Sequence, residues 1–409
     1  MNSNFKKFLL LWAGELISSV GGGLTSFGLG VYIFQKTGSA AGMAMVTFLG
    51  FLPTLFLSVP AGALADRYDR RVLMMIGDGG SALGILFILV TMMRGESSLG
   101  VICIGVFISA VFSALLEPAF RATITDLLTK EEYSKASGLV SLAGNARYLL
   151  SPMIAGFLLT ISDVKLLLMI DIGTFFLTAA GAAVVKRGIE TTDSEKSEPF
   201  FQSISEGWKI LVGKRGVFAL VMVFSIITMF MGMFQILAEP MVLAFSDAKI
   251  LGVTETICAC GMLVSGLYLG IKGIKKHYAL FLSIGLMVAS MGMFGFGVFG
   301  IVENILFIGG FGFLFFAALP VANNCLDYLV RTNIPGQAQG RVWGLIGFLS
   351  QLGFVVAYGI SGVLADAIGK GVGIGVGHGA AWVVMVAGVM MGTIALFIMP
   401  MKSIRELEG

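Results

Sequence analysis

The chain has 409 residues, of which 57% are hydrophobic and only 12% charged, with a formal net charge of +3 and a mean hydropathy of +0.94. Soluble domains carry about 25% charged residues, so this composition argues against a soluble enzyme, and the absence of any block of like charge argues against nucleic-acid binding. Its 56 glycines come with only 9 prolines, which fits neither collagen nor a disordered linker but suits membrane helices, whose backbones approach through small residues. The four cysteines lie in apolar stretches and the two histidines near segment ends. With no Cys/His ligand cluster and no phosphate-binding loop, no metal, cofactor or ATP chemistry is expected.

A bilayer crossing takes about 20 apolar residues, and twelve such runs follow one another along the chain. The first, 8–33, places Glu15 roughly 10 Å deep at about 1.5 Å per residue. Ser18, Ser19, Gly22, Thr25 and Ser26 continue a polar stripe from it at helical spacing. Charged groups at this depth are costly unless they face a cavity or a partner, so Glu15 is a candidate proton carrier or cation-binding acid, with a bonded structural acid as the alternative. Runs two and three, 42–65 and 72–94, are joined by Gly62-Ala-Leu-Ala-Asp66-Arg67-Tyr68-Asp69-Arg70-Arg71. Here Gly62 is expected to permit close helix packing, Asp66 to face a helix N-terminus, and Arg67, Arg70 and Arg71 to anchor the loop. Asp78, in run three, is expected to pair with those arginines. Run four, 98–119, ends in Glu117, an expected salt-bridge partner for Arg70 or Arg71, which would make it and the 62–71 loop parts of a cytoplasmic gate between the two halves of the chain.

Run five, 137–161, holds Arg147, a candidate counter-ion for Glu15, and the helix-bending Ser151-Pro152 with Gly156. Run six, 164–186, buries Asp171, a coupling or packing acid. The polar segment 187–215 at mid-chain reads as a linker over 188–199. An interfacial amphipathic helix follows in it, carried by Phe200, Phe201, Ile204, Trp208 and Leu211. Run seven, 216–240, aligns Thr228, Gly232, Gln235 and Glu239 on one face, and Glu255 lies near the start of run eight, 249–271. The remaining runs are 278–300, 302–326, 339–366 and 379–400. Trp12, Phe27, Phe230 and Phe234 are candidates for an adaptable apolar wall around bulky ligands.

Of the 27 Lys and Arg residues, all except Lys36, Arg94, Lys165, Lys249, Lys370 and Arg147 fall on one side of this topology. Basic loops mark the cytoplasm, so both termini are expected there. The linker divides the chain into six-helix bundles at 1–186 and 216–409. Pro118, Leu127, Gly138 and Val140 recur as Pro320, Leu329, Gly340 and Val342 at a constant offset, which favours an internal repeat. Repeated six-span halves are a plan of secondary transporters, with the substrate site near the bilayer midplane. The fold class is therefore all-α integral membrane with twelve transmembrane helices.

The Gly62–Arg71 loop resembles the G-x-x-x-D-R-x-G-R-[RK] signature of the major facilitator superfamily, with Asp69 where glycine is usual. The matching loop of the second half keeps Gly266, Lys272, Lys275 and Lys276 without the acid. A wider set resembles the bacterial macrolide-efflux branch of that superfamily: Leu11 to Ser18, Lys36 to Ala40, Ser151-Pro152, Ile170-Asp171, Thr254-Glu255-Thr256, Gly340-Arg341-Val342 and Ala365-Asp366. The resemblance implies a monomeric exporter in the bacterial cytoplasmic membrane that moves an amphiphilic small molecule against protons by alternating access among membrane lipids. Exporters of a native siderophore or lipid, and a gradient-independent lipid-translocating facilitator, are the alternatives. Glu15 stands where that branch commonly has glutamine, and Ser109 where many members carry arginine.

Overall fold

The computed structural model describes residues 4–95, 97–129, 132–186, 208–334, 339–398, 401, 404 and 406–408. Among them the long elements are all helices. They run α1 (Phe5–Thr37), α2 (Ala40–Arg67), α3 (Arg70–Met93), α4 (Leu99–Ser113), α5 (Leu116–Leu127), α6 (Tyr133–Leu149) and α7 (Ser151–Ile161). After these come α8 (Val164–Lys186), α9 (Arg215–Leu243), α10 (Ala248–Lys272), α11 (Tyr278–Ile301), α12 (Ile305–Asn333), α13 (Gln339–Gly371) and α14 (Val376–Ile398). Eleven stretches are individually long and apolar enough to cross a bilayer. The remaining expected crossing, the fifth, is divided between α6 with 17 residues and α7 with 11. Pro152 explains the break, because it lacks an N–H and crowds the residues before it. Of the amphipathic segment, Phe200 to Glu206 lie outside the described residues, whereas 208–213 are helical and Trp208 stacks edge-on against Phe218 at 6.3 Å.

The chain separates into two compact units. The first comprises Met1–Thr37, Met45–Glu195 and Ala248–Val253; the second comprises Gly38–Ala44, Lys196–Asp247 and Thr254–Gly409. In the first unit, α1 meets α8 along glycines seven residues apart. A Cβ at Gly14 would lie 3.2 Å from Thr178, one at Gly21 2.6 Å from Thr174 Oγ1 and 2.8 Å from Asp171 Oδ1, and one at Gly28 3.1 Å from Leu167. Without a hydrophobic drive between helices in lipid, such close packing is what holds them together. The same device joins α3 to α4, where a Cβ at Gly84 would lie 2.5 Å from the Ser109 backbone nitrogen. Ser81 also donates to the Ser109 carbonyl at 3.1 Å. Ser109 is thus buried, with its backbone at the α3–α4 contact.

One end of this unit is closed by Phe8, Leu11, Leu73, Phe120, Leu127, Leu128 and Val185, and Trp12 donates its indole N–H to the Leu139 carbonyl at 2.6 Å. Trp12 and the buried Phe27 thus belong to helix packing, contrary to the expected ligand wall. The first turn of α10 belongs to this unit too: a Cβ at Gly156 would lie 2.5 Å from the Ala248 carbonyl.

In the second unit Phe234 stacks on Phe315 with centroids 4.5 Å apart and lies against Phe296 at 4.3 Å. Phe230 and Phe234 are respectively 1% and 2% exposed, so they too are core residues and correct the ligand-wall expectation. Glycines again set the helix approach: a Cβ at Gly292 would lie 2.6 Å from Phe315 N, and one at Gly388 2.6 Å from Phe294 N. The first turn of α2 is part of this unit, where a Cβ at Gly362 of α13 would lie 2.5 Å from the Ala40 carbonyl.

Adjacent glycines of α1 give a direct test. A Cβ at Gly22 meets nothing within 4 Å, so Gly22→Ala is expected to leave the thermal midpoint unchanged or raise it, alanine being favoured in a helix by about 1 kcal/mol. Gly21→Ala is expected to lower it by forcing α8 away. Thermal unfolding of the two purified variants in detergent makes the comparison.

Candidate functional site

Glu15 of α1 and Asp171 of α8 lie on the helices that share the glycine seam, with Asp78 of α3 and Arg147 of α6 close by. Glu15 is half-buried and accepts a long hydrogen bond of 3.5 Å from Ser19 Oγ. Asp78 of α3 is 2% exposed, lies beside Thr178 and is within electrostatic reach of Glu15. It therefore faces the α1–α8 seam rather than pairing with the loop arginines as expected. Two turns along α8, Asp171 is 1% exposed and lies against Gly21, near Thr25 and Thr174 and within electrostatic reach of Arg147. Arg147 lays its aliphatic stem against Gly23, 3.1 Å from where a Cβ would stand. The acid that the structure brings to Arg147 is thus Asp171, where the sequence pointed to Glu15.

The expected stripe on α1 splits into two faces. Ser26 is exposed and Gly22 open, continuing the Glu15 face, while Thr25 turns inward toward Asp171. Ser151 Oγ donates to the Val20 carbonyl at 3.0 Å, so the start of α7 is fastened to α1 beside the same node.

In the second unit the stripe on α9 is mostly a helix contact. Thr228 Oγ1 bonds the Ser225 and Ser350 carbonyls at 2.8 and 2.5 Å, and a Cβ at Gly232 would lie 2.7 Å from Ala357 Cβ. Gln235 accepts a 2.9 Å hydrogen bond from the Tyr358 hydroxyl, a partner on α13 that sequence spacing does not reveal. Glu239 of α9 and Glu255 of α10, both half-buried, lie within electrostatic reach of each other.

At the loop between α2 and α3 several expectations are corrected. A Cβ at Gly62 meets nothing within 4 Å, so its smallness is not used for close packing. The Asp66 side chain lies outside the described residues, and Arg67 is exposed. Arg70 donates to the Ala65 carbonyl at 3.3 Å and the Ala122 carbonyl at 2.8 Å, tying the end of α2 to α5, where carbonyls at a helix C-terminus welcome a cation. Arg71 is 1% exposed. Glu117 bonds its own helix neighbour Arg121 at 2.9 Å, in place of Arg70 or Arg71. Asp69 has a purpose of its own: its carboxylate accepts from Arg71 N at 2.9 Å and caps α3, which glycine cannot do.

The Major Facilitator Superfamily profile matches residues 11–358. The chain belongs to the major facilitator superfamily. This facilitator is 27% identical over 423 aligned positions to macrolide efflux protein A of Streptococcus pyogenes, with 99% of this chain and 98% of that protein covered. It is 24% identical over 307 positions to the staphyloferrin A transporter of Staphylococcus aureus, covering 74% of this chain and 72% of the other. Its fold matches a solved bacterial homologue of the human lysosomal transporter Spinster with a TM-score of 0.77 at 13% identity, covering 99% of this chain and 98% of that one. It is a multi-pass membrane transporter of small molecules and not an enzyme.

A further pairing is absent from the sequence reading. Asp366 of the facilitator's α13 accepts hydrogen bonds from Ala40 N at 2.9 Å and Ser39 Oγ at 2.5 Å, both in the second unit. The carboxylate thus sits at the positive end of α2. Asp366→Ala is expected to cost about 1 kcal/mol, the usual value of a helix cap. A lower thermal midpoint in detergent would register it, with Lys370→Ala, which removes only an exposed partner at 3.4 Å, close to wild type.

Proposed function

We propose that this facilitator is a proton-coupled exporter of amphiphilic, macrolide-like compounds, working by alternating access in the bacterial cytoplasmic membrane with both termini inside. The observation that carries this reading is the end-to-end similarity to macrolide efflux protein A. Carboxyls in both units, the buried Asp171 and Asp78 in one and the half-buried Glu239/Glu255 pair in the other, supply groups that can exchange protons with the membrane's two sides. Glu15, on the open face of α1 with Ser26 and Gly22, is the acid best placed to meet a cationic amphiphile. The bundles are assigned to 1–186 and 216–409, joined by 187–215, and the α2–α3 loop with Asp66, Arg67, Arg70 and Arg71 is assigned to gating.

A second reading, export of a siderophore, draws on the similarity to the staphyloferrin A transporter. A growth-inhibition screen in an efflux-deficient bacterium expressing the chain distinguishes the substrates, and is expected to raise resistance to macrolides above the empty host. Reconstituted into proteoliposomes, the protein is expected to move the identified compound several-fold faster when a pH gradient is imposed. Equal rates with and without the gradient would favour a facilitator that needs no proton cycle.

A further inference from the structure

Arg147 of α6 lies in the divided fifth crossing, yet it is exposed. Its stem rests against Gly23, near the middle of the 8–33 run and roughly 22 Å from the cytoplasmic start of that run at about 1.5 Å per residue. The guanidinium therefore stands at bilayer depth, where hydrocarbon is a costly neighbour for a charge. The adjoining surface of α1 is polar instead. At about 100° per residue, Gly23 is roughly 60° around the helix from Ser26, which is exposed on the open face that also carries Gly22 and Glu15. Arg147 thus rises at the edge of a polar, open surface of the first unit. Gly144, one turn earlier on α6, would place a Cβ in open space, and Tyr148, next in the chain, is 53% exposed.

A guanidinium carries five N–H donors and no acceptor. Among the described residues, Arg147 makes no hydrogen bond and no ion pair within 4.0 Å. Asp171 is within its electrostatic reach, but that carboxylate is 1% exposed and lodged beside Gly21, Thr25 and Thr174. It balances part of the charge from a distance and takes none of the donors. A fixed cation with its donors unused, at membrane depth beside an open polar face, is suited to an anionic oxygen pair that arrives from outside the protein. We infer that Arg147 is a substrate-binding residue that recognises a carboxylate, and that the compound moved by this facilitator is an amphiphile bearing an acidic group. The planar guanidinium meets a carboxylate through two parallel N–H···O bonds, which an ammonium cannot reproduce. Glu15, roughly 12 Å along α1 from Gly23 at about 1.5 Å per residue, is left for a cationic group on the same molecule. This rests on the exporter reading and narrows its substrate to a compound with an acid, alone or beside an amine.

Dansyl-undecanoic acid and its uncharged primary amide differ only in the group that Arg147 would hold. Fluorescence titration of each into the full-length protein in lipid nanodiscs, against empty nanodiscs, compares them. The wild type is expected to bind the acid about tenfold more tightly than the amide, as a charge-assisted pair warrants. Arg147→Gln is expected to lose that preference through the acid alone, with amide binding unchanged. Asp171→Asn should tighten acid binding, because it removes an opposing charge. Equal binding of the two probes by the wild type, no saturable binding of the acid, or acid binding unchanged in Arg147→Gln would overturn the assignment. Weaker acid binding in Asp171→Asn with the amide unaffected would overturn it too, by making Arg147 a structural partner of Asp171. Water access is tested separately with Arg147→Cys. The anionic reagent sulfonatoethyl methanethiosulfonate is expected to modify this variant several-fold faster than the wild type, whose four cysteines set the background. A rate no faster than wild type would place residue 147 against lipid or protein and remove the site. Selective binding of the acid by a chain that confers no resistance and exports nothing would sink the exporter reading and keep the site. Macrolide export by a protein with no preference for the acid would do the reverse.

Discussion

Close approach of helix backbones at glycine is the constraint on which the rest of this structure depends. In lipid no hydrophobic force presses helices together, so contact must come from packing and from polar bonds that exclude competitors. Glycines spaced seven apart on α1 hold one face of the helix without side chains, and α8 settles into it. Polar groups that would be left exposed to hydrocarbon are thereby enclosed by protein. The buried carboxyls of α3 and α8 persist at membrane depth because this seam surrounds them.

Both units use the same economy of size, yet they bury different chemistry. The first encloses Asp78 and Asp171, with Arg147 within electrostatic reach of the latter, whereas the second fills its centre with stacked phenylalanines around Phe234 and carries polar bonds at the α9–α13 contact and at Asp366. The two units differ in what they bury more than in how they pack.

Much of the fold was legible in the sequence, because crossing length and apolarity are local quantities. The break at Ser151-Pro152 was visible as well, since proline acts on its immediate neighbours. Pairings across the bundle were not legible. The sequence offered Glu15 as the partner of Arg147, but helix rotation decides which acid meets it, and the structure brings up Asp171 instead. Asp78 was assigned to the loop arginines by proximity along the chain, although it lies beside Thr178 on another helix. The spacing of Gly14, Gly21 and Gly28 was the available signal for α1. A reading keyed to polar residues passes over it and chooses the open face containing Gly22. Tyr358 had no local signature, and Asp366 was visible only as part of a matched motif, because each acts on a helix distant in sequence.

The Asp366 contact changes what residue 39 is allowed to be. Ser39 Oγ accepts from Gly42 N at 3.1 Å while giving its own hydrogen to Asp366, so the hydroxyl works in both directions at once. Serine and aspartate are ordinarily interchangeable at the start of a helix. Here aspartate would present a second carboxylate to the first, with no proton to share between them. A position that resembles a generic cap is in effect reserved for an alcohol.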